Sequence, residues 1–232
     1  EVGANLGDCT LAAAVALRAG PRPRKVVASL FEPTADAAAA ARRSVIANGL
    51  DSDVTVFHLA LGSKPRPRRR IRMLGGFSAE ATFQAKMPAH WDEDKVVEAW
   101  AAKTETADSL LFGPGSGNGA MAKSGAALAS SLAVDVLTLH VQGDELEVLL
   151  GARRALDAGL ICLVLLPMGL LQHGLESGEA ARDAATGIRG LLANFTGVLA
   201  PGLAPERGRG VGAQVLEEES VEEWAARKSG VI

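Results

Sequence analysis

The chain has 232 residues, 48% of them hydrophobic and 22% charged, which suits a globular chain able to bury a sizeable core. Its formal net charge of −3 supplies no overall drive toward nucleic acid or an anionic membrane surface. Cys9 and Cys162 lie too far apart in sequence for a metal cluster or a disulfide framework and are expected to be reduced and buried; no run reaches the ~18 apolar residues of a membrane span.

Asp8 to Ala19 is rich in alanine and leucine and closes at Gly20-Pro21, which predicts a helix. Lys25 to Phe31 follows as a short strand. Thr34 then caps a second helix, with Asp36 at its positive end and Gly49 as its stop. Val54 to Leu61 reads as the next strand. Residues 64–131 break this alternation. They hold five arginines between Arg66 and Arg72, read as a solvated loop, although phosphates, acidic substrates or nucleic acid would also suit such a run. A helix is expected over Asp92 to Leu111, with Trp91 and Trp100 anchoring it to the core, and the glycine loop from Gly113 to Gly119 reads as a linker.

Alternation returns with an apolar strand over Val134 to Val141 and a helix over Asp144 to Ala158, where Leu146, Leu149, Ala152 and Leu156 share one face. A buried strand over Leu160 to Leu166 is closed by Pro167. Ser220 opens a capping box for a short polar helix carrying Trp224. This pattern predicts a single α/β domain with a doubly wound, Rossmann-like sheet: residues 1–63 as one half, 64–131 as an insertion or lid, and 132–232 as the other half. Only Glu1 and Val2 stand ahead of Gly3, so the sheet is expected to be truncated at a central strand, with a cost of about 1 to 3 kcal/mol for each buried backbone group left unpaired.

The run from Glu1 to Asp8, E-V-G-A-N-L-G-D, stands where a strand ends and a helix begins, and Gly3 and Gly7 allow the backbone to turn tightly against a ligand. Glu32 ends the following strand 25 residues after Gly7, near the ~20-residue spacing at which Rossmann-like folds place a carboxylate on ribose hydroxyls. The loop lacks the third glycine of a dinucleotide fingerprint, having Asn5 at its centre and Asp8 at the helix start. Negative charge there repels a pyrophosphate but suits the sulfonium and ammonium of S-adenosylmethionine, which makes NAD the runner-up cofactor.

E-V-G-A-N-L-G-D-C-T followed by Phe31-Glu32-Pro33, Asn48-Gly49-Leu50 and Leu59-Ala60-Leu61-Gly62 resembles the FkbM-type methyltransferases, and Asp135 to Ala152 is similar to a later segment of that family. The resemblance covers roughly residues 1–63 and 133–166. It implies that Glu1, Gly3, Asn5, Gly7 and Thr10 form or flank the cofactor loop, that Glu32 holds the ribose, and that Ala60 and Leu61 lie near the adenine. It also implies O-methylation of a small hydroxylated acceptor, with residues 1–63 serving the cofactor and 132–232 the acceptor. Thr138, His140 and Gln142 depart from the family's fourth-strand motif.

His140, at the end of a central strand, is a candidate general base or metal ligand, or a hydrogen-bonded filler. Glu145 falls on a family glutamate position and is the second catalytic candidate; with Glu147 it also suits a helix's positive end. His58, His90 and His173 have no partner spacing that suggests a site. Two other functions fit the residues: a domain that binds S-adenosylmethionine without transferring its methyl group, and a nicotinamide oxidoreductase. Neither nucleic acid nor a resident metal is expected, and no compartment is indicated.

Overall fold

A computed structural model describes residues 1–76, 81–83, 91–113, 133–166, 178–193 and 195. The expected helix at Ser220 and nearly all of the Gly113–Gly119 loop lie outside them, as do His90 and His173. The described chain is mixed α/β, built from small open sheets. Strand β1 (Ala28–Glu32) pairs in parallel with β2 (Val54–His58), with Leu30 against Val56 and Glu32 against His58. Strand β8 (Val134–Thr138) pairs in parallel with β9 (Ile161–Leu165).

Val2 joins these two pairs. It forms parallel bridges to Phe31 on one side and Leu139 on the other. Phe31 donates its N–H to the Glu1 carbonyl at 2.9 Å, Val2 donates to Thr138 at 2.8 Å, and His140 donates to Val2 at 2.8 Å. The strands therefore run side by side in the order β2, β1, Glu1–Gly3, β8, β9.

Helix α1 (Asp8–Ala19) begins at Gly7, whose φ of 76° is the left-handed turn that favours glycine. It buries Leu11 and Ala14 against Leu30 and α2 (Ala35–Ala47), whose small side chains Ala38 and Ala41 permit close approach to the strands. The second core gathers Val2, Phe31, Leu59, Leu137 and Leu139 with Val148, Leu149 and Leu156, so both sets of strands share it.

The helix expected over Asp144 to Ala158 is broken into α4 (Glu145–Leu150) and α5 (Arg153–Asp157). Asp108 explains the break. Its carboxylate accepts the N–H groups of Arg154 and Ala155 at 2.9 and 3.0 Å, capping α5 from another element, while its own N–H takes the Gly151 carbonyl that a continuous helix would have used. Gly151 is also pressed against Gly62, where an added Cβ would meet the Gly62 oxygen at 2.0 Å.

Residues 64–113 correct the sequence reading most. In place of a helix over Asp92 to Leu111 stand a single turn at Glu93–Lys95, strand β6 (Val96–Trp100), strand β7 (Thr104–Glu105) and helix α3 (Ala107–Phe112). Val96 and Val97 suit the pleated strand, and Thr106 caps α3 by accepting from the Ser109 N–H at 2.9 Å. The arginine run is not all loop either, since Arg70 and Arg72 lie on β4 (Arg70–Leu74), which pairs antiparallel with both β6 and β5 (Ala81–Thr82). The excursion ends as part of the main body, because β7 pairs in parallel with β3 (Ala60–Leu61) and Leu110 enters the second core. Trp91 is buried as expected, but Trp100 is exposed and lies beneath the Arg70 guanidinium. Helix α6 (Gly178–Leu191) packs on α4, and no described helix is long and apolar enough to cross a membrane.

Candidate functional site

The carboxyl ends of β1, Glu1–Gly3 and β8 open into a cleft of about 210 Å³. Seven of the ten site residues expected from sequence line it: Glu1, Gly3, Asn5, Glu32, Ala60, Leu61 and His140. The turn from Gly3 to Gly7 forms its floor. Gly3 (φ 74°), Asn5 (φ 50°) and Gly7 (φ 76°) all adopt positive φ, the region glycine enters freely and asparagine tolerates. Gly3 admits no substitute, since a Cβ there would stand 2.0 Å from the His140 carbonyl oxygen.

Glu32 ties this turn to β1. Its Oε2 accepts the Asn5 N–H at 2.8 Å, and its Oε1 accepts the Thr34 N–H at 2.8 Å and the Thr34 hydroxyl at 2.6 Å. Thr34 thus spends its hydroxyl on Glu32 instead of capping α2. Burial pushes the Glu32 carboxyl above its ordinary pKa, opposed by the donors from Thr34 and Asn5. Among the described residues Oε2 has one donor, so it keeps capacity for another.

Gly7, Thr10 and Glu145 do not line the cleft. Gly7 sets the turn, and the Thr10 hydroxyl donates to the Glu1 carboxylate, orienting a side chain that does line it. Glu145 is fully buried behind the 141–143 turn, with Oε2 accepting the Gly143 N–H at 3.0 Å and Oε1 without a hydrogen-bond partner. Burial is the main cause of its raised pKa. Gln142 (φ 53°) and Gly143 (φ 101°) follow one another at positive φ, and the Gln142 carbonyl accepts from the Thr82 hydroxyl at 3.1 Å. Glu145 and Thr82 therefore brace the turn that carries Val141 and Gln142 into the cleft.

Several lining residues had no signal in the sequence. Ile71, Ala81 and Phe83 come from the small antiparallel sheet, in a segment whose pattern predicts no such placement. Cys9 also lines the cleft, and both Cys9 and Cys162 are exposed free thiols where buried ones were expected. His58 braces the far wall by donating from Nε2 to the Pro33 carbonyl at 3.1 Å.

The chemistry of the lining is one-sided. Glu1, Asp8, Glu32 and Asp144 contribute carboxyl groups, and neither lysine nor arginine is present among the lining residues. Apolar walls from Phe31, Ala60, Leu61 and Ile71 complete it. The described residues contain no group of three or more potential metal ligands. No family model, no curated protein and no solved structure matches this chain.

Proposed function

We propose that the chain is an S-adenosylmethionine-dependent methyltransferase domain on a doubly wound, Rossmann-like sheet, acting on a hydroxyl of a small molecule. With the bridged segment Glu1–Gly3 counted as the first, it and the four parallel strands stand in the order 3-2-1-4-5, which matches the order of a doubly wound sheet. Such sheets bind ligands outside the carboxyl ends of their strands where the order reverses, between the first and the fourth, and the cleft lies there.

The observation that carries the cofactor assignment is the acidic lining. Four carboxyl-bearing residues in a lining that holds neither lysine nor arginine favour a cationic ligand and oppose a pyrophosphate, which ranks the nicotinamide reading below this one. Glu32 Oε2 can accept a ribose hydroxyl, Ala60 and Leu61 offer an apolar wall to adenine, and Glu1 and Asp8 offer counter-charge to an ammonium. S-adenosylmethionine supplies an electrophilic methyl on its sulfonium. The chain's part is alignment, exclusion of water and removal of one proton. His140, half-buried beside Gly3, is positioned to take the proton from an acceptor hydroxyl in its neutral form.

A binding-only domain is the second reading, favoured by one feature: Glu145 is walled off, so of the two candidate bases only His140 reaches the cleft. Methyl transfer to a panel of hydroxylated small molecules, measured for the protein and for His140→Asn, separates the two. A catalytic His140 predicts a rate loss of about 10² to 10⁴-fold with S-adenosylmethionine affinity retained. Full activity in the variant removes His140 as the base, and no transfer by the unaltered protein to any acceptor favours the binding-only domain.

A further inference from the structure

Beside the cleft lies a second cavity, of about 270 Å³, lined by Arg66, Arg69, Phe83, Asp144 and Glu147. Phe83 and Asp144 line both spaces, so the two adjoin. The cations of this cavity differ in how they are satisfied. Arg66 is paired with Glu147 at 3.5 Å, and Glu147 also accepts from the Ser63 hydroxyl. Arg69 has no such partner. Its guanidinium lies 3.8 Å over the Phe83 ring, its Nε is wholly buried without a hydrogen-bond acceptor, and among the described residues it makes no ion pair.

A guanidinium carries five N–H donors in a planar fork, and leaving them unpaired while partly removed from water is costly. Burial lowers the Arg69 pKa, against the attraction of Asp144 and Glu147, which act on it through space. The contact with the Phe83 ring holds the guanidinium in place without using any of its hydrogens. An oxyanion is the ligand such a preset fork takes, because a carboxylate or phosphate accepts two parallel N–H bonds from it.

We propose that Arg69, assisted by Arg66, forms an anion subsite next to the cofactor cleft, and that the small molecule acted on carries a carboxylate or phosphate group. The identity of that molecule as the methyl acceptor rests on the methyltransferase reading; the anion subsite itself does not. The annex holds two arginines and two carboxylates, and with Glu147 engaged by Arg66, Arg69 is left as the cation that makes no ion pair among the described residues.

The test is calorimetric titration with benzoate, phenyl phosphate and neutral benzamide in the absence of cofactor, on the protein and on Arg69→Gln, Arg69→Lys and Arg70→Gln. Arg70 is an exposed control that pairs with Glu98 at 3.6 Å. The expected result is binding of benzoate, phenyl phosphate or both in preference to benzamide, weakened at least tenfold by Arg69→Gln and unchanged by Arg70→Gln. The preferred anion tells carboxylate from phosphate. Arg69→Lys keeps the charge but not the fork and is expected to bind several-fold more weakly; it stands in if the glutamine variant does not fold. Equal affinity in Arg69→Lys and Arg69→Gln to that of the protein, or no anion preference over benzamide, overturns the proposal. Anion binding without S-adenosylmethionine binding leaves the subsite standing and removes only the methyltransferase reading.

Discussion

Glu32 and Glu145 are both carboxyl groups taken out of water, and the donors around them separate their roles. Glu32 is 3% exposed, holds three donors, and still borders the cleft. Glu145 is 0% exposed, holds the Gly143 N–H, and borders no ligand space among those described. Its raised folded-state pKa fixes the sign of its effect on stability. Folding favours its protonated form, so its contribution is fully present below the ordinary carboxylate pKa of about 4.3 and is lost as pH rises through the higher folded value. Glu145→Gln is therefore expected to gain less stability than the unaltered protein on acidification toward about pH 4.5, a window set by that ordinary value. Urea denaturation across this range measures the difference, in which the other titrating groups cancel. Parallel pH curves for the two proteins would show that the buried carboxyl is not destabilised by its surroundings.

At this scale the sequence was informative where chemistry and spacing coincide. Glu32 stood out because a carboxylate at that distance from a glycine turn has a role in Rossmann-like sheets. Phe83 and Ile71 did not, since lining residues from an irregular segment share no period with one another. Arg69 was visible only as part of a charged run, and its lack of a partner is a property of packing.

Element boundaries follow the same division. The helices over residues 8–19 and 35–47 and the strands at 28–32, 54–58, 134–138 and 161–165 were legible because each has a period and a stop signal nearby. The helix over Asp144 to Ala158 also had its period, and it broke because Asp108, some 45 residues earlier in the chain, offers the backbone a better partner at that point. Local pattern cannot show a cap delivered from elsewhere. Asp108→Ala should cost about 0.5 to 2 kcal/mol, the range for loss of an N-cap, or roughly 2 to 4 °C in Tm per kcal/mol for a chain of this size. S-adenosylmethionine affinity should not change, because Asp108 does not line the cleft. Thermal melts of Asp108→Ala and Asp108→Asn check this; an alanine variant with an unaltered Tm would remove Asp108 as the cause of the helix break. The strand at Val96–Trp100 was misread for a related reason, since its partner β4 lies in the arginine run, where charge obscured the alternation of Ile71 and Met73 toward the core.

Across the whole molecule, two half-sheets meet on two residues. Glu1 and Val2 supply the hydrogen bonds that align β1 with β8, and the turn that follows them faces the carboxyl ends of both. That junction places Glu32 from one side and His140 from the other on a single cleft, although 108 residues separate them in sequence. Alternating strands and helices made this convergence foreseeable; the charge of the cleft emerged only on folding, as Asp144 joined Glu1, Asp8 and Glu32. Binding of S-adenosylmethionine by this acidic cleft is tested by calorimetric titration of the protein and Glu32→Gln with S-adenosylmethionine and with NAD. Glutamine is preferred to alanine because it keeps the size of the side chain and one acceptor oxygen, which can still take the Thr34 N–H and hydroxyl. The expected result is saturable binding of S-adenosylmethionine, no comparable binding of NAD, and a loss in Glu32→Gln of about ten- to 150-fold, equivalent to about 1.5 to 3 kcal/mol for a hydrogen bond to a charged group. NAD binding as tightly as S-adenosylmethionine, or an affinity for S-adenosylmethionine that Glu32→Gln leaves unchanged, would contradict it.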